Sequence, residues 1–240
     1  MKNNNLNILI TGASRGIGKA IALKIANKCE NLLITSKYSN SCEETYNTIK
    51  SKAKNAYYNG FDHEYPRDAA LKIKNWIKEN KIKYLDALIL DAGIFLEGEL
   101  STISSSLYEK NLAVNLSANH YIIQELIPFL KLAKTPRIII IGSTAAYNEY
   151  PIVPTYGVAK WALRGYAINL RKELSCCNIG VMFISPSGTL TDMWAGENIP
   201  QGRLLNPEDI AEIVNVSFML SDQAVIDEII VKPMLGDYDE

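Results

Sequence analysis

Leu6-Asn7-Ile8-Leu9-Ile10-Thr11-Gly12-Ala13-Ser14-Arg15-Gly16-Ile17-Gly18-Lys19-Ala20-Ile21 is the stretch that decides the fold. Leu6 to Ile10 is a short apolar run suited to a buried strand. Ile17, Ala20, Ile21 and Ile25 then share one face of a helix. Between them, Gly12 permits a tight turn, Gly16 lets the backbone approach a pyrophosphate, and Gly18 lets helix and strand pack closely. The helix start offers free N–H groups and partial positive charge to phosphates. Ser14, Arg15 and Ile17 complete the loop and join the glycines as expected cofactor contacts. A glycine-rich turn without a ligand is the plain alternative; its place between strand and helix favours a dinucleotide.

Outward from this unit the pattern alternates. Short apolar runs recur at Leu32–Thr35, Ala56–Tyr58, Leu85–Leu90, Arg137–Ile141, Gly180–Ile184 and Glu228–Val231. Helical segments separate them. Leu71, Ile73, Trp76 and Ile77 lie in one, and Ala159, Leu163, Tyr166, Ala167 and Leu170 stripe another. Leu107 to Leu130 is long enough for one helix of about six turns. Asn206-Pro207-Glu208-Asp209 is a helix start, with Pro at the first helical position and acids on the positive end of the dipole. Strands apolar on both faces, alternating with helices, predict an α/β fold: a doubly wound parallel sheet (Rossmann fold) of about seven strands in three α/β/α layers. No repeat or linker divides the chain, so residues 1–240 read as one domain. The substrate site is expected at the carboxyl edge of the strands, under a short lid at about 190–205.

Bulk properties narrow the function. The chain has 240 residues, 48% hydrophobic and 21% charged, with a formal net charge of −1. Nothing in that balance calls for nucleic acid or an anionic membrane. The N-terminal apolar run is too short for a signal-peptide core, and no run approaches the roughly 20 residues of a membrane helix. A cytoplasmic protein is expected. Cys29, Cys42, Cys176 and Cys177 form no C-x-x-C pattern and read as reduced thiols. His63 and His120 suggest no metal site.

The second strand ends in Ile34-Thr35-Ser36-Lys37-Tyr38, without the acid that grips the ribose hydroxyls in NAD sites. Arg15 and Lys37 instead suit a 2′-phosphate, which predicts NADP(H). The alternative is that both are merely solvated.

Tyr156 and Lys160, four apart, share one helix face. A free phenol titrates near about 10, too high for proton transfer at neutral pH. An ammonium about 4 Å away, at an effective dielectric near 20, is worth about 4 kcal/mol. That is enough to bring Tyr156 within reach of pH 7 as general acid and base. Ser143 follows the strand Arg137–Ile141 through Gly142 and can hold a substrate oxygen. Asn115, in the long preceding helix, can bind a water that relays protons through Lys160. Taken singly, Tyr-x-x-x-Lys is an ordinary amphipathic surface and Ser after Gly an ordinary turn. Their order behind a phosphate loop makes Asn115, Ser143, Tyr156 and Lys160 the expected catalytic set.

These motifs, with Asp91-Ala92-Gly93 after the fourth strand, closely resemble those of the classical short-chain dehydrogenase/reductase family, over nearly the whole chain. The resemblance implies an oxidoreductase moving a hydride between NADP(H) and a small carbonyl or alcohol, often as a homodimer or homotetramer. It implies that Asp62 lies beside the adenine. It also implies that the segment from Pro186 through Thr189 and Thr191 to Met193 grips the nicotinamide carboxamide. Asp91, Ala92, Gly93, Tyr156 and Lys160 join the expected cofactor contacts. Three positions depart from the family: Asp91 stands where Asn is usual, Ser187 where Gly is usual, and Lys37 where NADP-preferring members commonly have Arg. A binding-only regulator or a structural subunit with little turnover is the rival class. The lid from Trp194 to Arg203, with Tyr147 and Tyr150, suggests a partly aromatic mouth. It would suit a ketone, aldehyde, 3-oxoacyl thioester or pterin-like side chain. The alternative for these aromatics is packing at a subunit interface.

Overall fold

The computed structural model describes residues 5–149, 153–192 and 198–237. Among them a seven-stranded sheet runs in the order β3-β2-β1-β4-β5-β6-β7, with every adjacent pair parallel. The strands are β1 Leu6–Thr11, β2 Cys29–Ser36, β3 Asn55–Gly60, β4 Ala87–Leu90, β5 Arg137–Ile141, β6 Gly180–Pro186 and β7 Glu228–Val231. The helices are α1 Gly16–Ile25, α2 Glu43–Ile49, α3 Pro66–Glu79, α4 Ser105–Leu112, α5 Ala118–Leu130, α6 Pro154–Leu174 and α7 Pro207–Ser217. This is the doubly wound sheet expected from the alternation.

Strand side chains alternate between two cores. Leu9, Leu33, Leu88 and Ile138 point toward α3, α5 and α6, where they meet Ile73, Ile122 and Leu163. Ile8, Ile10, Ile34 and Ile139 point to the opposite face, against Ile21 and Ile25 of α1 and Ile210 and Val214 of α7. Burial on both faces explains why these strands are runs of apolar residues rather than alternating ones. Strand order reverses between β1 and β4, whose ends Thr11 and Leu90 are register partners. The crevice opens there, beyond the carboxyl ends.

One expectation changes. The segment read as a single helix over Leu107–Leu130 is interrupted. Between α4 and α5, Ala113–Ser117 form a π turn, in which the Ala118 N–H reaches back to Ala113 O. Apolar periodicity cannot register one extra residue in a turn when both flanking helices are amphipathic. No helix among the described residues is long and apolar enough to cross a membrane.

Candidate active site

The loop from β1 to α1 forms the floor. Gly12 has φ +73°, and a Cβ there would stand 2.7 Å from Ala92 N, so only glycine lets the two loops touch. A Cβ on Gly18 would stand 2.6 Å from Gly12 O and 2.7 Å from Asp91 Oδ2. Thr11 Oγ1 accepts from Asp91 N and Ala92 N, both at 3.2 Å, joining the loops a second time. The first turn of α1 has no acid and its N-cap, Arg15, makes no side-chain cap. Asp91 Oδ2 takes the Gly18 N–H, while Gly16 and Ile17 at the helix start line the cleft, a fit for pyrophosphate.

One cleft of about 1550 Å³ runs along the strand ends. It is lined by Gly12, Ser14, Arg15, Gly16, Ile17, Lys37, Asp62, Asp91, Ala92, Gly93, Ser143, Tyr156, Lys160, Pro186, Thr189 and Thr191, which brings the residues singled out above together. Gly18 and Asn115 are buried and are not among the lining residues. Thr191 lies over the phosphate loop, its Cγ2 3.1 Å from where a Gly16 Cβ would be. Thr189 Oγ1 donates to Ser187 O at 2.9 Å, which tightens the turn after β6.

Tyr156 enters from the first turn of α6, which Pro154 opens. Its phenol hydrogen-bonds Ser143, and Phe95 packs against its ring with centroids 5.3 Å apart. Lys160 Nζ lies 5.3 Å from the centroid of that ring and donates to Ile141 O at 3.2 Å. Burial lowers the Lys160 ammonium to about 8, against the opposing pull of Asp91. The phenol does not follow the expectation from spacing. Burial pushes Tyr156 up to about 12, the Ser143 hydrogen bond pulls it down, and nearby Asp91 adds to the rise. Helix spacing gives proximity to Lys160 but says nothing of the water both groups lose.

Asp91 is also strongly perturbed. Its Oδ2 accepts from Gly18 N at 2.8 Å, the role an Asn oxygen would fill. Burial pushes the carboxyl up to about 7, with Lys160 and the Gly18 N–H holding it lower than burial alone would.

The Asn115 side chain is engaged with its protein neighbours. Oδ1 accepts from Ile94 N at 3.1 Å, and Nδ2 donates to Ile94 O at 2.9 Å and to Asn111 Oδ1 at 2.6 Å. Asn111 Nδ2 in turn donates to Thr155 O at 2.6 Å. A chain of amides thus ties the wall at Ile94 to the residue before Tyr156. Sequence reading missed Asn111, although Asn at 111, 115 and 119 repeats every fourth position and marks one polar helix stripe.

At the far end, Lys37 is not an isolated cation. Its Nζ lies 2.5 Å from Glu64 Oε1 and 3.2 Å from Asp62 Oδ2. Arg15 lies 3.6 Å from Asp192, with both side chains largely exposed. The carboxylates absent from the end of β2 are supplied by the loop after β3, which local sequence could not reveal. Ser187 Oγ donates to Asp237, so the residue departing from Gly anchors the C-terminal segment at the cleft. Tyr147 is not among the cleft-lining residues. Its hydroxyl donates to Glu228 Oε2 at 3.4 Å, and the Arg164 guanidinium covers its ring at 4.3 Å. Tyr150, Met193 and Trp194 to Glu197 lie outside the described residues, and the aromatic mouth rests on them.

A family model for short chain dehydrogenases matches residues 6–201. The chain is 25% identical to sepiapterin reductase of Chlorobaculum tepidum, covering 96% of this chain and 97% of that one. It is 28% identical to the 3-oxoacyl-[acyl-carrier-protein] reductase FabG of Haemophilus influenzae, covering 90% of each. Among solved structures, a metagenomic short-chain oxidoreductase in complex with NADP is 26% identical and superposes with a TM-score of 0.83, covering 96% of this chain and 98% of that one. The loop, the reversal of strand order and the match across most of the chain agree: this protein belongs to the short chain dehydrogenase family.

Proposed function

We propose that the protein is an NADP(H)-dependent reductase of a small carbonyl compound, with Tyr156 as the proton donor. The observation that carries this is the grouping of Ser143, Tyr156 and Lys160 on one wall of the cleft whose floor is the glycine-rich start of α1. NADP bound in the metagenomic relative supports the cofactor, and both named relatives are reductases. Gly12, Ser14, Gly16, Ile17 and Gly18 would hold the pyrophosphate, Arg15 and Lys37 the 2′-phosphate, and Asp62 the adenine. Asp91, Ala92, Gly93, Pro186, Thr189 and Thr191 would line the rest of the cofactor's path. When bound, NADPH supplies the hydride.

The protein's own groups handle the oxygen. Ser143 and Tyr156 hydrogen-bond the carbonyl oxygen and polarise it. A phenol held near 12 keeps its proton at neutral pH and can release it as an alkoxide develops. Lys160 places an ammonium on the same helix face. Asn115 acts by positioning Ile94 and Asn111. Tyr156→Phe should lower turnover by about 10²–10⁴-fold, followed as NADPH oxidation against a carbonyl panel. Full turnover by that variant discards the mechanism, and cofactor binding without turnover on any carbonyl favours the binding-only role.

The same reading includes a cytoplasmic setting, in keeping with the free buried thiols of Cys29 and Cys42. It also includes a homodimer or homotetramer. Val158, Trp161 and Ile168 form an exposed apolar stripe along α6 that supports self-association. A mass by light scattering equal to one chain, at micromolar concentration, would remove the oligomer.

A further inference from the structure

The adenine end of the cleft holds a closed charge cluster. Lys37 Nζ lies 2.5 Å from Glu64 Oε1 and 3.2 Å from Asp62 Oδ2, and Lys110 Nζ lies 2.8 Å from the same Glu64 oxygen. One carboxylate oxygen is therefore shared between two ammonium groups from different parts of the chain. All four residues line the cleft. Asp62 Oδ1 accepts from Glu64 N at 3.0 Å, so the turn that presents Asp62 also aims Glu64. The pairing holds the Glu64 carboxyl below the usual carboxylate range. Two cations and two anions cancel. A phosphate monoester, carrying about −1.5 to −2 at neutral pH, would gain little from the cluster as a whole. It gains from Lys37 only to the extent that Glu64 yields it.

We infer that Glu64 sets cofactor selectivity by competing with the 2′-phosphate for Lys37, and that Lys110 is the cation that retains Glu64 when the phosphate takes its place. The inference rests on the NADP(H) reading. Its physical core is that a partly buried carboxylate displaced from its sole cation would lose that pairing, whereas this one keeps a partner already at 2.8 Å. Lys110 lies on α4, outside the phosphate loop and the end of β2 where phosphate contacts are ordinarily sought.

The test is a set of dissociation constants for NADPH and NADH, measured by nucleotide fluorescence at one ionic strength. Partly exposed pairs of this kind are worth at most about 1 kcal/mol, which sets the scale at up to roughly five-fold. Glu64→Gln should tighten NADPH by up to roughly five-fold and leave NADH nearly unchanged. Lys110→Ala should weaken NADPH by a similar factor, because Glu64 then falls on Lys37 alone. In the Glu64→Gln background, Lys110→Ala should have no further effect. Glu64→Gln that leaves NADPH unchanged or weaker overturns the inference. So does a Lys110→Ala loss that persists without Glu64, since Lys110 would then touch the phosphate itself. Lys37→Ala separates the two levels. Unchanged preference for NADPH over NADH in that variant sinks the 2′-phosphate assignment, while lost preference with an inert Glu64→Gln sinks only the competition.

Discussion

At the residue scale, Asp91 stands where the family resemblance leads one to expect Asn. Its carboxyl, pushed up to about 7, and the Lys160 ammonium, lowered to about 8, each favour the other's charged form. Asp91→Asn keeps an oxygen for Gly18 N but removes the anion. Lys160 should then lose its proton below about 8, and Tyr156 should titrate below about 12. If turnover needs charged Lys160, the alkaline limb of kcat/KM should move to lower pH in Asp91→Asn. An unmoved limb discards the coupling. Stability gives a second readout. The folded value of Asp91 is raised from 3.8, so its contribution is fully present below 3.8 and is lost as pH rises through about 7. Denaturation midpoints of Asp91→Asn should fall less steeply than the parent's between about pH 4 and 7.

At the element scale, the π turn and the helix start of α6 act as one support. The wider turn carries Asn115 against Ile94, and Asn111, fully buried, reaches Thr155 O beside Tyr156. Asn111→Ala would leave the Thr155 carbonyl and one Asn115 donor without these partners. Thr155 O keeps its place in the ladder of α6 and Asn115 Nδ2 keeps Ile94 O, so the cost is about 1–3 kcal/mol for the one Asn115 N–H left unpaired. We expect a urea midpoint lowered accordingly and kcat reduced by about ten-fold, a loss of about 1.4 kcal/mol in transition-state stabilisation. KM for NADPH should stay within two-fold, because the phosphate loop lies on other elements. A rise in KM with kcat intact would reassign Asn111 to cofactor binding. The Asn repeat was visible in sequence, but the π turn was not, because apolar periodicity does not register one extra residue in a turn.

At the scale of the molecule, the cleft runs along strand ends from both halves of the sheet, so cofactor binding there should report on the whole fold. NADPH at about 100 times its dissociation constant should stabilise the protein by about 2.7 kcal/mol. For a chain of this size that is a rise in Tm of roughly 5–11 °C. NADH at matched concentration should give less, and a larger shift with NADH would overturn the phosphate assignment. The sequence by itself determined the alternation of strands and helices, the phosphate loop and the Tyr156–Lys160 pair. Each is written within a single element or one junction, where a period of two or 3.6 and a glycine's backbone freedom suffice. Only the tertiary structure decided which carboxylates meet Lys37, how burial and Asp91 set Tyr156 and Lys160, and that Tyr147 pairs with Arg164 and Glu228 instead of lining the cleft. Those properties depend on distances through space and on excluded water. Strand order fixes both, by joining segments that lie dozens of residues apart in the chain.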